Sequence, residues 1–183
     1  MNAHPTITID PGVRGCGLAV WRSGGLAFAA YLPRDTRPGP SCVAMGRALD
    51  HALAGRVWSA GAVEWPVQRH GAAHYVRRSD ISDLTAVAAV CAYVLSQHGA
   101  EVLTPLPERW KGQVPKHIHT ARVIGGALAR EKLPRVEGYQ SSAPGLLSGL
   151  ELSRICWETR ALSHNIVDAI GIGLWALGRT PNL

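Results

Sequence analysis

The chain is short of lysine and of acids, has no paired cysteines, and lacks any long apolar run. Only three of its 19 basic residues are lysines and the other sixteen are arginines, the side chain whose planar, permanently charged fork suits bidentate phosphate contacts. No stretch reaches the ~18 uninterrupted apolar residues of a membrane span. The opening Met1-Asn2-Ala3-His4-Pro5 lacks the basic-then-apolar order of an export signal, so a cytoplasmic protein with no membrane partner is expected. Cys16, Cys42, Cys91 and Cys156 are widely spread and form no C-x-x-C pair, which argues against both a disulfide framework and a cysteine zinc site. They read as small buried hydrophobes. Thirteen acids against 19 bases leave a formal net charge of +6, which suits a polyanionic partner as well as it suits plain solubility.

What is present fits one compact domain over residues 1–183. A length of 183 residues with 46% hydrophobic and 17% charged side chains is enough to bury a core, and it excludes a disordered or acidic solvating chain. The β-branched run Thr6-Ile7-Thr8-Ile9 stops at the turn Asp10-Pro11-Gly12, and two more strands follow, from Gly15 to Trp21 and, after Gly24-Gly25, from Leu26 to Leu32. Short connections make these three an antiparallel meander. Cys42 to Ala54 has helical spacing, Ala60 to Val63 is a short strand closed by Trp65-Pro66, and Asp83 to Gln97 is a helix leading to a strand at Glu101 to Leu103. Residues 104 to 115 read as a proline-punctuated loop, Lys116 to Lys132 as a helix, and 134 to 150 as a surface insertion. Ser163 caps a last helix running to Trp175. Strands first, then alternating helices and strands, give an α/β fold: a mixed five-stranded sheet with helices on both faces.

Three of the few acids stand inside or at the ends of the most apolar segments. Asp10 ends the first strand, Glu64 ends the strand Ala60 to Val63, and Asp168 lies in the first turns of the last helix. Each has an ordinary explanation: a turn residue before Pro-Gly, a strand end facing solvent, and a carboxylate favoured by the helix dipole. Together they ask for more. Buried carboxylates need a partner, and three that converge are best relieved by a hard divalent cation.

The order of these motifs resembles the RuvC-type Holliday junction resolvases. The run Ile7-Thr8-Ile9-Asp10-Pro11-Gly12, followed by the glycine-containing strand Gly15-Cys16-Gly17-Leu18-Ala19-Val20, is similar to that family's opening. Val63-Glu64 looks like its second catalytic strand, and Asp168-Ala169-Ile170-Gly171-Ile172 like its last helix. The resemblance covers essentially the whole chain. It implies an RNase H-like fold, usually a homodimer, whose carboxylates hold two Mg2+ ions, with Mn2+ able to substitute, for phosphodiester hydrolysis. Asp10 would then bridge both ions while Glu64 and Asp168 each complete one side.

The chain departs from the pattern in two places. The family's fourth site residue, an Asp or His three positions before the last Asp, is here Asn165. His164 lies four positions before Asp168 and shares its helical face, so both stay open. Where some members carry a phenylalanine wedge there is Val67, leaving Trp65 or Tyr75 for that task. Gly171 lets the last helix approach the sheet.

The cations gather in two segments. One is the loop after Glu64, with Arg69, Arg77 and Arg78. The other runs from Arg109 through Trp110, Lys111 and Lys116 to Arg122, where an aromatic among cations suits a phosphate backbone plus a base. Arg14 follows the first turn. Lys116, and Lys111 after it, are similar to the lysines that approach the scissile phosphate in the family. His117 and His119, two apart on a helix, face different ways and are not a ligand pair.

The expected function is a Mg2+-dependent, structure-selective endodeoxyribonuclease acting on branched DNA, most simply a four-way junction, as a homodimer in a bacterial cell or phage-infected host. Its expected site is Asp10, Glu64, Asp168 and His164, with Lys116. A nucleic-acid-binding module of the same fold without cleavage is the alternative, with Asn165 as its first sign. Actin-like sugar kinases also open with Asp, Gly and a hairpin, but they normally need two such domains.

Overall fold

The computed structural model describes residues 5–67, 78–112, 119, 123 and 160–179, leaving aside the side chains of 28, 78, 79 and 160–164. Five strands, β1 (Thr6–Asp10), β2 (Gly15–Arg22), β3 (Gly25–Pro33), β4 (Ala60–Val63) and β5 (Glu101–Leu103), form one sheet in the order β3-β2-β1-β4-β5. The first three pair antiparallel, as the sequence implies, and β4 and β5 join parallel to β1. The hairpin between β2 and β3 turns on Ser23 and Gly24, both at positive φ, the geometry of a two-residue turn whose twist matches the strands.

Alternation along the strands decides what faces what. Ile7 and Ile9 of β1, Cys16, Leu18 and Val20 of β2 and Val63 of β4 are buried together with α1 (Ser41–Leu53) and α2 (Arg78–Gln97), chiefly against Met45, Leu49, Leu53, Cys91 and Leu95. Each such side chain contributes about 1.5–3 kcal/mol of burial. The intervening positions Ala19, Trp21 and Ala29 meet the last described helix, α4 (Arg160–Ala176), at Ile166, Val167, Ala169, Ile170 and Leu174. Cys16 and Cys91 are fully buried, free of any disulfide, with their sulfurs 3.9 Å apart at S–H···S hydrogen-bond distance, in keeping with the buried role expected of them.

Helix α4 lies unusually close to β2. A Cβ on Gly17 would stand 1.9 Å from the carbonyl oxygen of Asn165, and one on Gly173 would stand 2.1 Å from the indole nitrogen of Trp21. Both positions therefore have to be glycine for helix and strand to touch backbone to backbone and backbone to ring.

Three boundaries differ from the sequence reading. Helix α2 begins at Arg78 rather than Asp83, with Asp80 in its first turn, where a carboxylate offsets the orphan N–H groups. Helix α4 runs from Arg160, so Ser163 stands inside it rather than at its start. Asp168 consequently sits two turns in from Arg160, beyond the reach of the helix dipole. The supposed loop 104–115 contains a short helix, α3 (Pro107–Lys111), with Pro107 at its start, Glu108 in its first turn, and Gly112 at φ 62° ending it, the usual proline-in, glycine-out order. The expected helix 116–132, apart from His119 and Val123, and the insertion 134–150 lie outside the described residues.

Candidate active site

Strand pleat and helix placement bring two of the three acids together and put the third beside them. Thr8 and Asp10 point to the α4 side of the sheet, as Ile7 and Ile9 point away from it. Glu64 directly follows β4, and its N–H donates to the carbonyl of Ile9 at 3.1 Å, so it continues the parallel ladder next to Asp10. From the other layer comes Asp168, 3% exposed. The helix is fixed at that level by Thr8, whose hydroxyl donates to the carbonyl of Ala169 at 2.7 Å and accepts from the indole N–H of Trp21 at 3.2 Å.

Glu64 carries an electrostatic imprint of this site. Burial pushes its carboxyl above the ordinary range; the Lys111 ammonium opposes this, the charge of Asp168 adds to it, and the Trp110 N–H opposes it. Glu64 and Asp168 thus feel each other as like charges.

Helix α3 delivers two groups to the same carboxylate oxygen. The Trp110 indole N–H donates to Glu64 Oε2 at 2.9 Å, and Lys111 Nζ stands 3.6 Å from that oxygen and 4.6 Å from the centre of the Trp110 ring. Trp110 is held in turn. His119 meets its ring edge-on at 4.9 Å, and a Cβ on Gly171 would fall 2.7 Å from it. Gly171 thus admits the indole, a more specific task than the close helix approach the sequence suggested. Among the described residues, Trp110 is the contributor to the site that the sequence reading misassigned. The proline and glycine bounding α3 were the available signal.

No family model matches the sequence, and no curated protein does. Solved structures do match. The chain is similar to the RuvC of Thermus thermophilus in complex with Holliday junction substrate, with a TM-score of 0.59 at 16% identity over 94% of this chain and 93% of that one. It is similar also to a second Thermus thermophilus RuvC structure, at a TM-score of 0.54 and 17% identity over the same shares. The fold is RNase H-like. Within that RNase H-like frame, Asp10, Glu64 and Asp168 occupy the end of the first strand, the end of the fourth and the helix laid across them.

The other expected site residues fare differently. Trp110 is corrected: at 1% exposure its ring offers no surface for a base to stack on, because Gly171, His119 and Glu64 enclose it. Trp65 is half-buried against the α1–α2 core, so it is not an outstanding wedge either. Lys111 is pinned to Glu64. Arg14 is exposed beside the first turn. Asn165 is half-buried and lies over that same turn, its amide nitrogen 3.3 Å from where a Gly12 Cβ would be. His164 belongs to α4 by its backbone, but its side chain, like that of Arg78, lies outside the described residues. So do Arg69, Tyr75, Arg77 and Lys116. No helix among the described residues is long and apolar enough to cross a membrane.

The residues fit a divalent cation by their chemistry. Asp10, Glu64 and Asp168 are hard oxygen donors, and Glu64 and Asp168 are close enough to repel, which a shared cation would relieve. Among the described residues no three His, Cys, Asp or Glu side chains are gathered closely enough to hold an ion by themselves.

Proposed function

We propose that the protein is a metal-dependent, structure-selective DNA endonuclease, a Holliday junction resolvase that nicks opposed strands. The observation that carries this reading is the placement of Asp10 and Glu64 at the ends of the adjacent strands β1 and β4 and of buried Asp168 on the helix packed over them, in a fold whose solved likeness was captured with a Holliday junction. Asp10, Glu64 and Asp168 would hold Mg2+, or Mn2+ in its place. When bound, two such ions supply the charge that activates water for in-line attack on a phosphodiester and that stabilises the departing 3′ oxygen. The chain's own part is positional. Trp110 fixes one oxygen of Glu64, Thr8 fixes the level of α4, and Gly17 lets that helix carry Asp168 down to the sheet. Arg14, exposed beside the Asp10 turn, would take a backbone phosphate.

Two opposed cuts call for two sites, hence a homodimer. Helix α2, on which Tyr93 is 63% exposed, is the face proposed to meet the second copy. The competing reading, a binding module without cleavage, draws on Asn165, which stands where the family carries an Asp or His. A labelled four-way junction incubated with Mn2+ separates the two. Paired nicks that vanish with chelator support the resolvase; tight binding of the junction with no nicks under any divalent ion supports the module.

A further inference from the structure

Lys111 is one of only three lysines in the chain, and it is directed inward. Its side chain is 20% exposed, and its ammonium faces Glu64 Oε2 at 3.6 Å across the Trp110 ring. The approach is built into the backbone. Pro107 starts α3 and Gly112 ends it, so Trp110 and Lys111 reach Glu64 as adjacent residues of a five-residue helix with little freedom to drift. The ring face under the ammonium adds an attraction of its own.

A largely buried carboxylate with another carboxylate nearby needs a cation, and here the chain supplies it. A divalent ion drawn to either oxygen of Glu64 would meet a like charge already standing 3.6 Å from Oε2, and that repulsion eases only if the lysine moves away. We infer that Lys111 is the resident counter-ion of Glu64 and that a divalent cation must displace it to use Glu64 as a ligand. This deepens the proposed function and rests on it in one respect, that Glu64 is a metal ligand. Loading the ion and releasing the lysine are then one event, and the freed ammonium becomes available to a phosphate at the moment the site is charged.

The test is Mn2+ binding to the DNA-free full chain, followed by titration calorimetry, with far-ultraviolet circular dichroism checking that each variant is folded. Lys111→Met keeps the stem over Trp110 and removes the charge. It should bind Mn2+ about tenfold more tightly than the wild type, the scale on which a neighbouring cation changes a carboxylate's affinity for a proton. Lys111→Arg, which keeps the charge, should stay near wild type. In a Glu64→Gln background, Lys111→Met should change nothing. Equal or weaker binding by Lys111→Met would overturn the inference while leaving the proposed function standing, and so would a gain that persists without Glu64. Failure of both the wild type and Lys111→Met to bind Mn2+ would overturn the proposed function and the inference with it.

Discussion

Thr8 and Ala169, 161 positions apart in the chain, are joined by a 2.7 Å hydrogen bond from the threonine hydroxyl to the helix carbonyl. Thr8 is two residues before Asp10 and Ala169 is one after Asp168, so this bond ties the helix next to Asp168 to the strand just before Asp10. The same hydroxyl accepts the indole N–H of Trp21. Thr8→Val should therefore leave a buried indole donor without its acceptor and cost about 1–3 kcal/mol, read by urea unfolding. Thr8→Ser, which keeps the hydroxyl, should lose less and should keep more of any cleavage activity.

Trp110→Phe removes the donor to Glu64 while filling most of the same space. Cleavage should fall about tenfold or more as Glu64 loses its fixed orientation, and the folded state should weaken by about 1 kcal/mol, the net worth of one hydrogen bond. Measuring cleavage rate and thermal unfolding on the same preparation checks both; a rate loss no larger than the unfolding shift explains would deny Trp110 its positioning role.

Gly17→Ala and Gly171→Ala should differ in severity. At Gly17 the added methyl meets backbone, the Asn165 carbonyl, at 1.9 Å, whereas at Gly171 it meets the Trp110 and His119 rings at 2.7 and 2.8 Å. Backbone cannot rotate aside, so Gly17→Ala should cost more than the ~1–3 kcal/mol of ordinary overpacking and lift α4 from the sheet. Gly171→Ala should fall within that range. Denaturant midpoints of the two variants rank them.

The raised carboxyl of Glu64 makes a prediction about pH. In chelator, the folded protein holds this proton at pH values where the unfolded chain, near the ordinary 4.5, has released it. The folded state then binds more protons, so stability is lost as pH rises from about 4.5 through the raised folded value. Glu64→Gln should unfold at a higher temperature than wild type at neutral pH, and the gap should close below pH 4.5. Scanning calorimetry across that range reads it; a gap that widens in acid would contradict the cause assigned.

The sheet and its acids were legible because local rules write them directly. A β-branched run cut by Asp10-Pro11-Gly12, and Ala60 to Val63 closed by a Trp-Pro pair, announce strand ends, and acids in apolar segments announce themselves by rarity. Helix α3 was hidden because a five-residue helix shows no periodicity and Pro107, with Pro105 just before it, reads as loop. Trp110 was misassigned because an aromatic among cations looks the same in sequence whether its ring is outside or buried. Its bond to Glu64, 46 residues away, exists only once α3 docks. Ser163 looked like a cap because capping residues are recognised by type, and nothing local showed that the helix had already begun at Arg160.

The most direct test of the account is a comparison of Asp10→Asn with wild type on one labelled four-way junction, measuring binding in Ca2+ and cleavage in Mn2+. The account predicts that the variant binds the junction within about threefold of wild type, a difference below 1 kcal/mol, and produces no paired nicks. Cleavage by Asp10→Asn at the wild-type rate would contradict it.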